Sequence, residues 1–512
     1  MDHSKAPVLE ALAAYHAQGQ LPFTPPGHKQ GRGADPRVRN VLGDAVFRSD
    51  VLATSGLDDR TASHGVLEQA QALMADAVGA DHTFFSTCGS SLSVKAAMLS
   101  AAGPHEKILV GRDAHKSVVS GLILSGMDPV WVDPQWDPVL HLAHPPAARS
   151  FEAAFKEYPD ARCALVTSPT PYGTCSDLGA LARICHRRGK ALIVDEAWGA
   201  HLPFHPRLPT WAMDAGADVC VTSVHKMGSA LEQGSVFHLQ GNLVDATVLK
   251  SREDLLGTTS PSSLVHAALD GWRRQMVEDG HALYDHALAL SENLRAYIEE
   301  TKGMHVNGRD DFCGPGLAHD LDPLQIIIDI TGLGIPGYHA ADWLRTHHRI
   351  NLHLSDHRRI SAQLTHADDE HSAQALLDAL RDLAAHAPHL PPGPQVHLPD
   401  PAELRLEQAM LPRDAYFGPT EDVPWQKAAG RIAAEMLTPY PPGIPAALPG
   451  ERLTPHVLSY LRSGIDAGMV IPDAADTHLT TVRVTARKKL NPPCEAHRRP
   501  PPAAPPPPSH GP

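Results

Sequence analysis

The sequence predicts an α/β fold, a mostly parallel sheet with helices on both faces, joined to a smaller α+β C-terminal domain. Three observations predict it. Between about residues 65 and 270, short apolar runs alternate with helical stretches. The runs are continuous rather than alternating with polar residues, as strands buried on both faces are. Past residue 305 the pattern restarts in a shorter unit, and a proline-rich stretch then sets off a third. At 512 residues the chain is also too long for one ordinary domain.

Residues 1–45 read as an N-terminal helix and arm. Val8-Leu9, Leu12-Ala13 and Tyr15-His16 recur at helical spacing over 5–18, with Ser4 as the expected cap. The Pro/Gly-rich segment from Leu21 to Lys29 cannot continue a helix and reads as extended. Residues 46–304 form the expected large domain. Its strand runs are Thr83–Phe85, Lys107–Val110, Pro129–Val132, Ala164–Thr167, Ala191–Val194 and Val219–Thr222, with helical stretches such as Leu92–Ala102 and Leu178–Arg188 between them. Residues 305–390 form a small α/β segment, with a strand at Leu324–Ile330 and a helix at Gly337–Thr346. Residues 391–488 form the C-terminal domain, after a linker over 387–400. The tail 489–512 is dominated by proline and is expected to be disordered.

Composition excludes several classes of function. The 44 basic and 58 acidic residues leave no basic stripe for nucleic acid. No apolar run reaches the roughly eighteen residues a membrane span needs. The first residues, Met1 to Pro7, lack the apolar core of a secretory signal. A cytoplasmic protein without nucleic-acid or membrane partners is the expectation. Seven scattered cysteines with no C-x-x-C pair argue against disulfides and zinc ribbons. Histidines 347, 348, 353 and 357 lack ligand-like spacing and read as solvated surface residues, so no metal is expected.

In a parallel sheet the ligand site lies at the carboxyl ends of the strands, so the residues just past each run are the candidates. After Ala191–Val194 comes Asp195-Glu196-Ala197. In extended chain Asp195 and Ala197 point the same way, a carboxylate to pair with a ring nitrogen beside a small residue that lets a flat ring approach. An acidic turn cap explains Asp195 alone equally well. After Val219–Thr222 comes Ser223-Val224-His225-Lys226, and the lysine lies 31 residues beyond the aspartate, about one strand–helix–strand repeat. A lone loop lysine is ordinarily surface charge. Paired with Asp195, Lys226 becomes an amine able to form a Schiff base with an aldehyde cofactor, with Ser223 placed to bind a phosphate. After Thr83–Phe85 comes Cys88-Gly89-Ser90-Ser91 and then a helix, a turn whose amides and hydroxyls suit an anion. A plain serine cap is the simpler reading of that turn. After Lys107–Val110 comes His115, placed to stack on the ring face opposite Ala197, or simply a capping or exposed histidine.

These residues together resemble the Orn/Lys/Arg decarboxylase family of fold-type-I pyridoxal-5'-phosphate (PLP) enzymes. The resemblance runs from Thr24 to about Val484. Its landmarks are TPPGHKQG (24–31), LDD (57–59), TFFSTCGSS (83–91), DAHKSVVSGLILSG (113–126), TSPTPYG (167–173) and DEAWGAH (195–201). SVHK (223–226), TTSPSS (258–263), PRDAYF (412–417) and GRIAAEMLTPYPPGIP (430–445) continue the series. It implies Lys226 as the Schiff-base lysine, Asp195 as the pyridinium partner and His115 as the stacking residue. Ser90, Ser91, Ser223 and His225 would bind or border the phosphate, and Lys226 or His225 would return a proton to Cα. It further implies PLP-dependent decarboxylation of arginine, lysine or ornithine, of the polyamine-forming type. A homodimer with its active site at the interface is implied too, with 258–263 reaching the partner's cofactor.

Three departures bear on substrate choice: Cys88 replaces the family's usual asparagine, Trp198 the first histidine of DEAHGAH, and Pro171 looks inserted. Asp58, Asp59 and Glu421 are candidates to hold the substrate's distal cation. With the TPPGHK arm starting at residue 24, neither the receiver-like wing of some relatives nor the helix-turn-helix domain of a regulator is expected. A fold-type-I aminotransferase or another amino-acid lyase is the alternative, and no arginine motif for an α-carboxylate clamp is seen.

Overall fold

The computed structural model describes residues 1–52, 57–58, 65–392, 396, 404–439 and 443–487. Asp59 and the tail beyond 487 lie outside the described residues. A seven-stranded sheet organises the large domain: β1 (His82–Ser86), β2 (Lys107–Gly111), β3 (Asp128–Val132), β4 (Cys163–Thr167), β5 (Ala191–Asp195), β6 (Val219–Ser223) and β7 (Ser235–Leu239). The order across the sheet is β1-β7-β6-β5-β4-β2-β3. The pairings of β2 to β6 are parallel, and β7 runs antiparallel to both β1 and β6.

The continuous apolar runs have a direct cause. Along β5, Leu192 and Val194 enter one core with Ala164, Val166 and Cys220. Ala191 and Ile193 enter the other, with Cys163, Leu165, Val219 and Val221. Successive side chains alternate faces, and both faces are covered, so every position is apolar. β7 has no counterpart among the expected strands because Ser235 and His238 interrupt its run. Their polar atoms are satisfied inside the sheet: Ser235 Oγ donates to the Thr222 carbonyl at 2.8 Å, and His238 Nδ1 lies 2.9 Å from Thr83 Oγ1.

The first helix spans Pro7–Gln18, and its start corrects the expectation for Ser4. The cap position is Ala6, which supplies no side-chain bond, and Ser4 Oγ donates to Asp2 instead. Pro7 sets the helical φ and has no N–H to satisfy. The Val8 N–H is taken by Asp270 at 2.8 Å, a carboxylate that also pairs with Arg273 at 3.0 Å. The cap therefore comes from the 37-residue helix Ser263–Glu299, far away in sequence.

That long helix leads into a second, antiparallel sheet of His305–Asn307, Gln325–Asp329, Arg359–Gln363 and Leu354–Ser355, in that spatial order. The helices Gly337–His348 and Glu370–His386 accompany it. The C-terminal region has its own small core, including Leu437, Leu453, Val457, Leu461 and Val484. It docks on the segment just past β2. Arg112 donates to the Pro445 carbonyl at 2.8 Å and pairs with Glu451 at 3.1 Å. Lys116 donates its backbone N–H to Gly443 and pairs with Asp473 at 2.9 Å.

Burial raises the Glu451 carboxyl pKa, while Arg112 pulls it back down. Breaking such a buried pair leaves one charge uncompensated. Glu451→Ala is therefore expected to cost about 3–5 kcal/mol, read as a lowered urea midpoint. A loss under about 1 kcal/mol would put the pair in the weak class of exposed ion pairs.

Candidate active site

Four strand ends converge at one edge of the sheet. β5 ends at Asp195, the Glu196 N–H still bonds the Val221 carbonyl of β6 at 2.9 Å, and a turn begins at Ala197. The Ala197 N–H returns to Asp195 Oδ1 at 3.3 Å, and the Ala197 carbonyl receives the Ser223 N–H at 3.4 Å from the end of β6. Asp195 is buried, and none of the ion pairs among the described residues involves it. Burial raises its pKa, opposed by Lys226 and by the Ala197 N–H.

Lys226 lies on the short helix Val224–Met227 directly after β6. Its Nζ sits 4.1 Å from the centre of the Trp198 ring, a cation–π contact. Burial lowers its pKa and Asp195 raises it, with burial dominant. A lysine so tuned is more readily unprotonated, as a nucleophilic amine requires. The neighbouring His225 donates from Nδ1 to the Gly234 carbonyl at 3.1 Å, which leaves Nε2 free. Burial lowers its pKa as well.

The Gly89-Ser90-Ser91 turn opens the helix Ser90–Ala101 with no side-chain cap. Gly89 takes φ +72°, a conformation glycine adopts without strain. The Ser90 and Ser91 N–H groups head this helix, the position where anions bind. Ser223 Oγ donates to Ser90 Oγ at 2.6 Å, so the end of β6 and this turn share one polar corner. His115 caps the helix Lys116–Ser125, Nδ1 accepting the Ser117 N–H at 3.2 Å. Capping and facing the site prove compatible: burial first, and then the nearby Lys226, hold its pKa at about 4. A ring kept neutral can lie against a flat aromatic ligand.

Asp195, Ala197, Lys226, His225, Ser223, Ser90, Ser91 and His115 thus follow the ends of β1, β2, β5 and β6 at one edge of the sheet. The donor set fits PLP: a buried carboxylate without an ion-pair partner, a depressed lysine, a helix start with serine hydroxyls, and a neutral imidazole. The distal-cation candidates fare differently. Glu421 is exposed in the C-terminal strand Thr420–Pro424 and is paired with Arg431, so the chain does not bring it to Lys226. Asp58 lies near His266, where burial holds the imidazole pKa at about 4 and the Asp58 charge opposes that shift.

His353 corrects the expectation of solvated surface histidines. Its ring meets Trp198 edge to face at 4.5 Å, and its pKa is lowered to about 4, by burial first and also by Lys226. No local pattern marks it, because only the packing of the second sheet brings it here. Among the described residues, one cluster has metal-ligating geometry: His205, His281 and Asp285. There His205 accepts the Arg207 N–H at Nδ1 and faces Asp285 at 3.0 Å through Nε2, so both ring nitrogens are satisfied without an ion.

Comparison with known proteins points the same way. Residues 6–310 match the Orn/Lys/Arg decarboxylase major domain and residues 401–475 its C-terminal domain. Arginine decarboxylase of Halalkalibacterium halodurans is 38% identical over 94% of this chain and 97% of its own length. Arginine decarboxylase of Bacillus subtilis is 35% identical over 96% and 99%. The constitutive lysine decarboxylase of Escherichia coli superposes with a TM-score of 0.78 over 95% of this chain and 82% of its own, at 22% identity. The chain belongs to the Orn/Lys/Arg decarboxylase family, with the fold of the fold-type-I PLP enzymes.

Proposed function

We propose that the protein is a PLP-dependent decarboxylase of a basic amino acid, with Lys226 as the cofactor lysine and arginine as the leading substrate. The pairing of Asp195 and Lys226 carries this reading. Both are withdrawn from solvent enough to shift their pKa values, neither is in an ion pair among the described residues, and they stand at adjacent strand ends. Arginine leads because the Halalkalibacterium and Bacillus subtilis relatives, each matching nearly the whole chain, are arginine decarboxylases. Bound PLP supplies an electron sink for the pair left by the broken Cα–carboxylate bond. Asp195 would hold a proton on the ring nitrogen through a charge-assisted hydrogen bond. Ser90, Ser91 and Ser223, with the helix amides, would hold the phosphate. His115 and Ala197 would border the ring. Lys226 Nζ or His225 Nε2 would carry a proton to Cα.

Reducing the PLP-loaded protein with borohydride and mapping its peptides tests the assignment. The pyridoxyl group is expected on Lys226. Its appearance on another lysine would overturn the reading.

A homodimer belongs to the same proposal. The helix Pro36–Leu42 buries none of its residues, and Leu21, Phe23, Val38, Val41 and Leu42 are all exposed along the arm. Such an apolar strip is costly in water and suits a second copy. The segment 258–260, also exposed, leads into the helix whose Ser263 donates to the Ser49 carbonyl at 2.8 Å, at the end of the helix Asp44–Ser49 that follows the arm. Sedimentation is expected to show a dimer that Phe23→Asp and Val41→Asp together weaken. A monomer at micromolar concentration would contradict this.

A further inference from the structure

We infer that Trp198 and His353 together form the subsite for the substrate's distal cation, and that this subsite favours a guanidinium over an ammonium. The inference rests on the decarboxylase reading and sharpens its substrate. His353 precedes the strand Leu354–Ser355 and meets the Trp198 ring at 4.5 Å with a 61° interplanar angle. Its ring bonds to the Pro171 carbonyl, while Nε2 is buried with no partner among the described residues. A histidine bonded to a carbonyl donates through Nδ1, so the neutral ring presents a lone pair at Nε2. Burial and Lys226 keep it neutral. A buried acceptor without a donor is costly and marks a place where a ligand N–H belongs.

The Trp198 face provides the second half. Lys226 Nζ already stands 4.1 Å from its centre, the distance at which a cation meets an aromatic face. Once Lys226 is committed to the cofactor, no free ammonium remains there, and the face is left for another cation. The α-amine of the substrate is used at the cofactor, so only the distal group has N–H donors to spare. His353 also borders a cavity of about 470 Å³ whose lining includes Asp368 and no lysine or arginine. Gln363, which also lines it, donates to the Lys226 carbonyl. A cation in this cavity meets no like charge from the lining.

The guanidinium preference follows from hydration and shape. A planar, weakly hydrated guanidinium stacks on an indole while one N–H reaches a single acceptor. An ammonium gives up a tighter water shell, and one neutral nitrogen replaces little of it.

Kinetics with L-arginine and L-lysine test this in the wild type and in His353→Phe, which keeps a ring against Trp198 but removes the acceptor. The variant is expected to raise KM for arginine about 10- to 100-fold, the range for losing a hydrogen bond to a charged group. Its kcat should change little, and the arginine-to-lysine ratio of kcat/KM should fall by a similar factor. Trp198→Phe, with a smaller π face, should lower the same ratio less. Binding gives a readout independent of turnover: tryptophan-fluorescence titration with L-arginine should show the same loss of affinity in His353→Phe. An unchanged arginine KM and ratio, or an equal loss for both amino acids with unchanged binding, would overturn the subsite. A wild type that prefers lysine would overturn it while leaving the decarboxylase reading intact. A wild type releasing CO2 from neither arginine, lysine nor ornithine would remove the decarboxylase reading itself.

Discussion

Lys226→Ala is expected to abolish turnover together with the absorbance of the lysine-bound cofactor. Lys226 is the only lysine at this edge of the sheet that stands beside Asp195 among the described residues. Its burial depresses its pKa, which favours the free amine that attacks an aldehyde. Alanine removes both the covalent anchor and one of the two proton carriers, so compensation by His225 alone should not restore activity. The variant should still fold, because removing a largely buried amine that has no carboxylate in contact leaves no charge newly unpaired. An alanine variant that retained either signal would place the cofactor lysine elsewhere.

Asp195→Asn ranks second in expected effect. An asparagine keeps the shape and one hydrogen bond but cannot hold the ring nitrogen protonated. A loss on the order of 10²–10³ in kcat is expected, as for removal of a preorganised charge-stabilising group. Binding of the cofactor should survive through Lys226 and the serine corner. The cofactor-free protein gives a second signature. Burial raises the Asp195 pKa above its ordinary 3.8, so the folded state holds that proton more tightly than the unfolded one. The carboxylate then costs stability as pH rises through its folded value. At neutral pH cofactor-free Asp195→Asn is expected to melt higher than the wild type. Below the ordinary value of 3.8 the difference should vanish. A variant that melts lower at neutral pH would show that Asp195 already has a stabilising partner.

Much of the site was legible because its residues sit immediately after buried strands. Continuous apolar runs identified β1 to β6, and each cofactor-site candidate came within a few residues after one of them. β7 was hidden by Ser235 and His238, whose partners, Thr222 and Thr83, come from neighbouring strands. The helix start at Pro7 was misread for a similar reason, since its cap is Asp270 rather than Ser4. His353 and Glu421 show the limit most clearly. One looked like a surface histidine and lies against Trp198, while the other looked available and is bound to Arg431. The first depends on a contact between distant segments and the second on a pair ten residues apart, and periodicity encodes neither.

The most direct test of the account is CO2 release by the PLP-loaded protein from L-arginine, L-lysine and L-ornithine in parallel. Release from arginine fastest, with the matching amine formed in equal amount, is the expected result. Keto-acid formation without CO2 would instead indicate a transaminase. No release from any of the three by a protein whose Lys226 carries the cofactor would contradict the account.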